Sequence, residues 1–570
     1  MSITLGFNLS HNGSVALISG GEVKSAVQAE RIFRLKRCTL ALNKDYKELF
    51  RGCIRYCLEA ADVQLSDIEA IAFATPWSAQ KIDNSDLFNY IGFRPSKYVK
   101  TFYVPHHYSH MEYIVHYGDS KPGIVLVIDG SGSVESDRSL FNIKEKHHSN
   151  IINYTSLTGK ETISAYWFDG LTSSLIYRFS PSQLLSAKYN DKSWGLLQSI
   201  GHYWEWASSY CYGSMNEAGK VMGLAAYGVK ENIHKKEILS ISDYGKLSLD
   251  FKQIRKEFKN PNIFNSDLSN SKHHQNLALK VQSETECVIL KLLSILKKKY
   301  PTDTLYFSGG VALNVVANEK IENSKLFKNV ILNGSVEDNG TAIGAGLSAS
   351  LALGYKRKFS VITDYYGRDY KHEEIISSIS EFNFSYKVLD NKELYKVAAN
   401  FIKNEKIFGW YQGRSEFGPR ALGNRSILAN PASPNTKHIL DNYMKSRERF
   451  RPYAPVVTEE DANKYFDIDS SSPVMMRNAK VLDKRLTAIT HFDKTARVQT
   501  VSKKENEILY LLLLEVKKNI GFPILLNTSF NLPGEPIVET PKDALSAFYR
   551  GSLDFLFIKN VLISREHLIP

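Results

Sequence analysis

Two histidines and two aspartates are the residues of this sequence whose types and spacing could hold a metal ion. His106 and His110, in the segment HHYSH, stand four positions apart, so on a helix both imidazoles would lie on one face. Asp129 ends an apolar run, and Asp338 opens a turn of Asp, Asn and Gly. Two imidazoles with two carboxylates suit a divalent transition metal. The alternative is that the histidine spacing is incidental, while a zinc peptidase is disfavoured because HExxH needs Glu where His107 stands.

Arginines crowd into the C-terminal part of the chain, in segments broken by glycine, proline and amide residues. These segments are GWYQGRSEFGPRALGNRS at 409–426, KSRERFRP at 445–452, ARVQT at 496–500 and NTSFN at 527–531. Guanidinium groups bind phosphate and carboxylate in a forked geometry, so the segments predict an enclosed anion site. Solvated arginines with ordinary capping residues are the alternative. The most crowded arginines are Arg414, Arg420, Arg425, Arg447, Arg449 and Arg451.

Strands that end in glycine turns are expected to position these residues. The alternation of apolar residues predicts strands at 3–8, 14–19, 22–28, 123–129 and 304–308, the first three forming a β-meander. Backbone amides at turns such as Asp129-Gly130 and Gly309-Gly310 can bind phosphate. A glycine pair alone is more often a tight corner. The recurrence of such turns along the chain nevertheless predicts, in outline, an actin-like nucleotide-binding fold.

The length of the chain predicts two domains of an α/β protein. A chain of 570 residues is longer than one ordinary core requires. The helix-like stretch GTAIGAGLSASLALG at 340–354 is followed by YKRKFS and a new apolar pattern. We therefore expect a first domain at 1–360 and a second at 361–570. No internal repeat is evident in the sequence.

Composition and charge restrict the class of protein. With 43% hydrophobic and 23% charged residues the chain is expected to fold as a globular protein, and no run approaches the ~18 apolar residues of a membrane span. The five cysteines form no C-x-x-C pair, which predicts free thiols in the cytoplasm. The net charge of +12 fits a nucleic-acid surface, anion pockets or a lysine-rich solvated surface.

Long motifs in both parts of the sequence resemble the O-carbamoyltransferase family of the NodU/CmcH/TobZ type. In the C-terminal part they are GWYQGRSEFGPRALGNRSILANP, RERFRPYAPVV, TARVQTV and NTSFNLPGEPIVETPKDAL, and in the N-terminal part HNGS, HHYSH and EAGKVMGLAAYG. The resemblance implies an actin-like (ASKHA) ATPase-type domain similar to tRNA threonylcarbamoyltransferase, joined to an α/β YrdC-like domain. It also implies Fe²⁺ and ATP as cofactors.

The resemblance assigns roles residue by residue. His106, His110, Asp129 and Asp338 would be the metal ligands, and His11 of HNGS the general base. Asp129 would also lie against the nucleotide. The residues implied for the adenylate in the first domain are Lys36, Gly309, Gly310, Asn314 and Gly340. The residues implied for carbamoyl phosphate and ATP in the second domain are Arg420, Lys445, Arg447, Arg451, Arg497, Asn527 and Ser529.

The sequence departs from the family pattern at two places. Asn12 stands where many relatives have Asp, and ERIFRLKR replaces ERFTRxKH; these two motifs carry His11 and Lys36. The implied reaction is formation of carbamoyl adenylate from carbamoyl phosphate and ATP, followed by transfer to a hydroxyl of a small-molecule acceptor. The alternatives are a tRNA threonylcarbamoyltransferase-like enzyme and a non-catalytic ATPase. No membrane partner and no nucleic acid are expected, and a homodimer stays open.

Overall fold

The two units of the chain are not divided exactly at the expected boundary. The computed structural model describes residues 3–38, 47–75, 99–136, 141–182, 185–189, 192–233, 235–258, 268, 271–382, 384–448 and 450–565. The first unit comprises Met1–Ala29 and Thr39–Ile362, and the second comprises Glu30–Cys38 and Thr363–Pro570. The sequence placed the division after residue 360. It did not predict that Glu30–Cys38 belongs to the second unit.

The described residues of the first unit form two large sheets and two hairpins. Its strands are β1 Ile3–Asn8, β2 Ser14–Ser19, β3 Glu22–Gln28, β4 Ile68–Thr75, β5 Lys100–Pro105, β6 Gly123–Ile128, β7 Lys146–Thr155, β8 Ile163–Phe168, β9 Ser173–Ser180, β10 Leu185–Tyr189, β11 Lys192–Leu196, β12 Leu239–Ile241, β13 Leu247–Leu249, β14 Thr304–Ser308 and β15 Asn329–Ile331. The predicted meander is confirmed as β1 to β3, and the two predicted apolar strands as β6 and β14.

The two large sheets repeat one topology. The first has the order β3-β2-β1-β4-β5, with β1, β2 and β3 antiparallel and β1, β4 and β5 parallel. The second has the order β15-β14-β6-β8-β9-β7, in which β6, β8 and β9 are antiparallel and β6, β14 and β15 parallel. Strand β6 thus corresponds to β1, and β7 is an addition at the edge. A duplicated sheet of this order is typical of actin-like ATPase folds, and the predicted α/β class is confirmed.

Helices join and cover these sheets. They are α1 Ala29–Phe33, at the junction between the units, α2 Lys47–Ala61, α3 His106–Val115, α4 Ile200–Tyr212, α5 Ala218–Ala225, α6 Phe251–Glu257, α7 Lys272–Lys299, α8 Val315–Asn323 and α9 Asp338–Ala352. Helix α9 is rich in Gly, Ala and Ser and almost entirely buried. Small side chains let it approach closely, so it packs between α3 and the sheet that contains β1.

In the second unit the described residues form one mixed sheet of nine strands. The strands are β16 Ser385–Val388, β17 Phe408–Tyr411, β18 Arg425–Ala429, β19 Ala454–Thr458, β20 Arg477–Lys480, β21 Thr495–Val501, β22 Ile524–Ser529, β23 Phe555–Ile558 and β24 Val561–Ser564. Their order is β16-β24-β23-β17-β18-β22-β19-β21-β20. The helices are α10 His372–Ser380, α11 Asn391–Lys403, α12 Pro434–Ile439, α13 Ala462–Tyr465, α14 Glu507–Ile520 and α15 Pro541–Arg550. Separate apolar clusters cover the two faces of the sheet.

The composition predicted no membrane-spanning helix and no disulfide. Among the described residues, no helix combines the length and apolar character needed to cross a bilayer. Among the described residues the five cysteines form no disulfide, and four of them are buried while Cys287 is exposed.

Candidate functional site

The four predicted metal ligands lie together in the first unit. His106 begins α3 directly after β5, Asp129 follows β6, and Asp338 begins α9. The ligand atoms of these residues and His110 all lie within 4.8 Å of one another. The closest pair is Nε2 of His106 and Oδ2 of Asp129, at 3.0 Å. All four side chains are buried, so the site can surround a small ion.

The charges of this cluster fit a cation. Burial lowers the pKa of His106, but the carboxylates of Asp338 and Asp129 outweigh that effect and raise the pKa to about 10. The carboxylates therefore draw a proton onto an imidazole that has no exposure to solvent. Neutral imidazole nitrogens and carboxylate oxygens are suitable ligands for first-row divalent metals. The donor set therefore fits the ion that the resemblance implies.

His11 lies beside the cluster, in the turn between β1 and β2. Its side chain is 62% exposed, and its Nδ1 atom is 3.4 Å from Oδ2 of Asp338. The negative charge of Asp338 raises the pKa of the His11 imidazole. The same Asp338 carboxylate accepts a hydrogen bond from the hydroxyl of Ser10. The structure thus places the predicted base at the exposed rim of the metal ligand set.

Asn12, the departure from the family pattern, has a structural role in this turn. Its backbone is left-handed with a φ of 59°, a conformation that asparagine adopts more readily than most residues. Its side-chain amide donates to Oε2 of Glu337, at 3.0 Å. An aspartate at this position would instead face the Glu337 carboxylate. The departure therefore matches its surroundings and does not displace His11.

The glycine turn after β14 reaches the same cluster. Gly309 has a φ of 91°, and a Cβ atom there would lie 2.2 Å from the carbonyl oxygen of Ile128. A Cβ atom on Gly310 would lie 3.1 Å from Oδ1 of Asp129. The turn is therefore pressed against the end of β6. This brings two of the predicted adenylate residues next to Asp129.

Two further residues predicted for the adenylate have internal packing or capping roles. Asn314 caps α8 by accepting from the amide of Ala317, and its side chain is paired with that of Gln282. Gly340 is buried in the first turn of α9, where a Cβ atom would lie 1.9 Å from the carbonyl oxygen of Ser335. Their contact with a nucleotide stays a prediction.

Helix α4 adds two polar residues that sequence reasoning missed. Nδ1 of His202 accepts a hydrogen bond from the amide of Leu197, and its Nε2 lies 3.8 Å from Oε2 of Glu205. Burial raises the pKa of Glu205, and the neighbouring charge of His11 opposes that rise. The resulting pKa is about 7. Glu205 is thus close enough to His11 for the two charges to interact. The i, i+3 spacing of His202 and Glu205 was the available signal.

The second unit contains a cluster of basic side chains. Burial lowers the pKa of Arg497 well below its usual range, as do the charges of Arg420, Arg447 and Arg451. Burial, together with Arg451, also lowers the pKa of Arg447, to about 10. Within the described part of the chain, Nε of Arg447 and Nε of Arg497 have no acceptor. Buried cations that repel one another favour an anionic ligand.

Lys445 extends this cluster to the end of β22. Its Nζ donates to the carbonyl oxygens of Ser529 and Asn531, at 2.5 and 2.9 Å. The hydroxyl of Ser529 donates to Oδ1 of Asn531. Asn527 donates to Gln499, and its own Oδ1 has no donor among the described residues. The structure therefore places Lys445 against the end of β22, the strand that carries Asn527 and Ser529.

Lys36 lies in the second unit, not in the first as the sequence analysis assumed. The segment Glu30–Cys38 is attached there by Arg31, which donates to the carbonyl oxygen of Gly418, and by Arg34, which donates to that of Ile537. The charge of Lys36 contributes to lowering the pKa of Lys445. Lys36 therefore belongs to the basic cluster of the second unit. Its contact with the adenylate stays a prediction.

Not every arginine of the crowded segments is available for a ligand. Arg425 is fully buried, donates to the carbonyl oxygens of Gln412 and Gly413, and lies over the ring of Tyr411 at 3.6 Å. Arg414 donates to the carbonyl oxygens of Tyr366 and Gly367. These two side chains hold loops together. Arg449 lies outside the described residues.

Comparison with known proteins identifies both parts of the chain. Residues 93–347 match the family model "Carbamoyltransferase N-terminus", and residues 399–565 match "Carbamoyltransferase C-terminus". The nodulation protein NolNO of Sinorhizobium fredii is 30% identical over 100% of this chain and 81% of its own length. NolO of Bradyrhizobium diazoefficiens is 32% identical over 65% of this chain and 69% of its own length.

A third relative carries a chemical name. The 3'-hydroxymethylcephem-O-carbamoyltransferase of Streptomyces clavuligerus is 29% identical over 58% of this chain and 61% of its own length. Together with the two family models and the nodulation relatives, this similarity shows that the chain is an enzyme and belongs to the carbamoyltransferase family of the NodU/CmcH type.

Proposed function

We propose that this protein is an O-carbamoyltransferase that makes carbamoyl adenylate and transfers its carbamoyl group to a hydroxyl of a small molecule. The observation that carries the proposal is the presence of two unlike sites, one in each unit. The first unit has a histidine and carboxylate cluster with His11 at its rim, and the second has buried cations that repel one another. The names of the relatives support carbamoyl transfer as the reaction that uses both.

The second unit would form the activated donor. Water attacks carbamoyl phosphate to release phosphate and carbamate, and a carbamate oxygen then attacks the α-phosphorus of ATP to release pyrophosphate. The product, carbamoyl adenylate, is a mixed anhydride with a good leaving group. Arg497, Arg447 and Lys445 would neutralise charge on the phosphoryl oxygens, which is the main electrostatic demand of such transfers. The unsatisfied Nε atoms of both arginines support this role.

The first unit would carry out the transfer. A divalent ion, with iron the one implied by the resemblance, would be held by His106, His110, Asp129 and Asp338 and would supply positive charge to phosphate oxygens. Asp338 orients the His11 ring through Nδ1. Nε2 of His11 is then free to take the proton of the acceptor hydroxyl as its oxygen attacks the carbamoyl carbon and AMP leaves.

The main alternative is transfer to tRNA. The basic net charge and the two histidines four apart would also fit that reaction. The relatives that carry functional names are nodulation proteins and cephem O-carbamoyltransferases, which favours a small-molecule acceptor. A cytoplasmic location and a homodimer remain predictions.

The test is product analysis with the purified full-length protein. Carbamoyl phosphate, ATP labelled in the α-phosphate, and ferrous ion are incubated with a panel of sugars, polyols and hydroxymethylated heterocycles, and in parallel with unmodified tRNA. We expect labelled AMP, pyrophosphate and a small-molecule product one carbamoyl group heavier. Carbamoylated tRNA with no small-molecule carbamate would establish the alternative. ATP binding without carbamoyl-phosphate-dependent pyrophosphate release would overturn the enzymatic assignment.

A further inference from the structure

The start of helix α4 is seated on the turn that carries Asp129. The hydroxyl of Ser199, which caps the helix, donates to the carbonyl oxygen of Asp129 at 3.0 Å. A Cβ atom on Gly201 would lie 2.5 Å from the Cα atom of Gly130, so only glycine permits this approach. The helix is therefore fixed to one of the metal ligands, and residues one turn further along it are held at a defined position.

Glu205 is the acidic residue that this attachment brings to the site. Its Oε1 atom lies 3.2 Å from the position of a Cβ atom on Gly130, directly beside Asp129. Its charge interacts with those of His11, Asp129 and Asp338. Among the described residues Glu205 accepts no hydrogen bond, and Nε2 of His202 lies 3.8 Å from its Oε2 atom. Burial lowers the pKa of His202 to about 4, so this ring is neutral at neutral pH. Its carboxylate thus faces the site without a donor of its own.

Exposure distinguishes Glu205 from the metal ligands. The Glu205 side chain is 33% exposed and that of His11 is 62%, whereas those of Asp129 and Asp338 are 10% and 6% exposed. The two more exposed residues lie at the rim, and the carboxylates that would approach the ion lie beneath. An acceptor that enters from solvent reaches the rim before the buried ligands.

The chemistry of a carboxylate limits what Glu205 can bind. The phosphate of an adenylate is an anion and an acceptor, so Glu205 in its ionised form would repel it. A hydroxyl of the acceptor is a donor and would form a charge-assisted hydrogen bond, which is stronger than one between neutral groups. The carbamoyl NH₂ and the ribose hydroxyls of the adenylate are the other donors in the reaction, and the experiment below separates them from the acceptor hydroxyl.

We propose that Glu205 is a positioning residue that binds a second hydroxyl of the acceptor while His11 faces the hydroxyl that reacts. The inference rests on the proposed function and narrows the acceptor to a compound with at least two hydroxyl groups. The enzyme then selects polyols over simple alcohols because only a polyol satisfies both rim residues.

The experiment compares glycerol with ethanol as acceptor, using the full-length protein with ferrous ion, carbamoyl phosphate and ATP. Carbamate formation is measured for wild type, Glu205→Ala and Glu205→Gln, with Glu48→Gln as a control at an exposed carboxylate of the same unit. We expect wild type to favour glycerol in kcat/KM beyond the statistical factor set by its greater number of hydroxyls. Loss of a hydrogen bond to a charged group should cost Glu205→Ala about 10- to 100-fold with glycerol, chiefly in KM, and little with ethanol.

Control measurements separate a folding defect from a loss of acceptor binding. Metal content and pyrophosphate release should be unchanged in both Glu205 variants, which shows that they are folded, and Glu205→Gln should lose less than Glu205→Ala because it keeps an acceptor oxygen. An unchanged ratio of glycerol to ethanol in Glu205→Ala overturns the inference. An equal loss with both alcohols also overturns it and assigns Glu205 to the adenylate, through its carbamoyl NH₂ or its ribose hydroxyls. Wild type that forms adenylate but carbamoylates neither alcohol nor any panel compound contradicts the proposed function instead.

Discussion

Nδ1 of His11 lies 3.4 Å from Oδ2 of Asp338, so one carboxylate belongs to the metal ligand set and also orients the predicted base. The hydroxyl of Ser10 donates to that same carboxylate, and Asn12 is tied to Glu337 beside it. The turn that carries His11 is therefore fixed to the start of α9. Under the proposed function, this arrangement would couple metal binding to proton transfer within the first unit.

Replacing His11 should affect transfer and leave adenylate formation intact. General-base catalysis contributes about 10²- to 10⁴-fold, so His11→Asn should lower the rate of transfer from preformed carbamoyl adenylate by that order. Bound metal should be retained because His11 is not one of the four ligands. A rate within a few-fold of wild type at saturating acceptor would move the proton acceptor to another group. Equal loss of pyrophosphate release would contradict the division of labour.

Removing both imidazoles of the metal ligand set should abolish transfer because the ion is lost, whereas His11→Asn removes only the base. The double variant His106→Ala, His110→Ala leaves only the carboxylates of Asp129 and Asp338, which are too few ligands for tight binding. We expect loss of the bound divalent ion by elemental analysis and loss of carbamate product. Chelation of wild type should reproduce the defect, and ferrous ion should reverse it. A stoichiometric ion retained in the double variant would show that the ion binds elsewhere.

The basic cluster of the second unit should control the first half-reaction. Arg497→Ala and Lys445→Ala should lower carbamoyl-phosphate-dependent pyrophosphate release by about 10²-fold. Each substitution removes a positive side chain that would neutralise charge on the phosphoryl groups. Lys36→Ala should fall in the same class, since its charge acts on Lys445. All three should transfer preformed adenylate normally. Lys24→Ala, an exposed lysine of β3, is the control. If Lys36→Ala impaired only transfer, the prediction that Lys36 acts with Lys445 in adenylate formation would be contradicted.

Much of this arrangement could be predicted from local patterns. The alternation of residues 3–28 predicted three strands, and the spacing of His106 and His110 on one helical face, with Asp129 at a strand end, predicted a cluster that the structure brings together. These patterns involve residues close together along the chain, or residues at the ends of strongly apolar strands. Side chains at such positions have few alternatives once the strands pair.

Long-range relations could not be predicted in the same way. The two sheets of the first unit share a strand order, but the sequence shows no repeat because topology depends on pairing and not on residue identity. The segment Glu30–Cys38 joins the second unit through arginine bonds to backbone carbonyls, which leave no pattern in the sequence. Glu205 was missed because its importance comes from the seating of α4 on Gly130.

We expect Arg425 to stabilise the fold of the second unit and not to bind the ligand. Its guanidinium donates to the carbonyl oxygens of Gln412, Gly413 and Asn424 and stacks on Tyr411, all in the interior of the second unit. Loss of several charge-assisted hydrogen bonds should destabilise that unit by about 3 kcal/mol or more. Lysine cannot replace the planar fork, so Arg425→Lys should be nearly as harmful as Arg425→Ala. Denaturant titration would measure this, and a loss of ATP affinity at unchanged stability would contradict it.

The stability of the first unit should depend on pH through His116. Burial lowers the pKa of His116 from 6.5 to about 4. Between these values the unfolded chain binds a proton that the folded chain does not, so stability rises with pH across this window and is lost as pH falls through it. At about 1.4 kcal/mol for each pH unit, the loss approaches ~3 kcal/mol.

His116→Gln removes the titrating group but keeps an amide that can donate to the carbonyl oxygen of Lys358, the bond that Nδ1 makes in the folded protein. Its unfolding free energy should therefore change less between pH 7 and pH 4.5 than that of wild type, so the two curves converge or cross as the pH falls. His372→Gln, at an exposed histidine of α10, serves as the control and should follow the wild-type curve. Parallel curves for wild type and His116→Gln, with the same slope from pH 7 to pH 4.5, would show that His116 is not the group responsible.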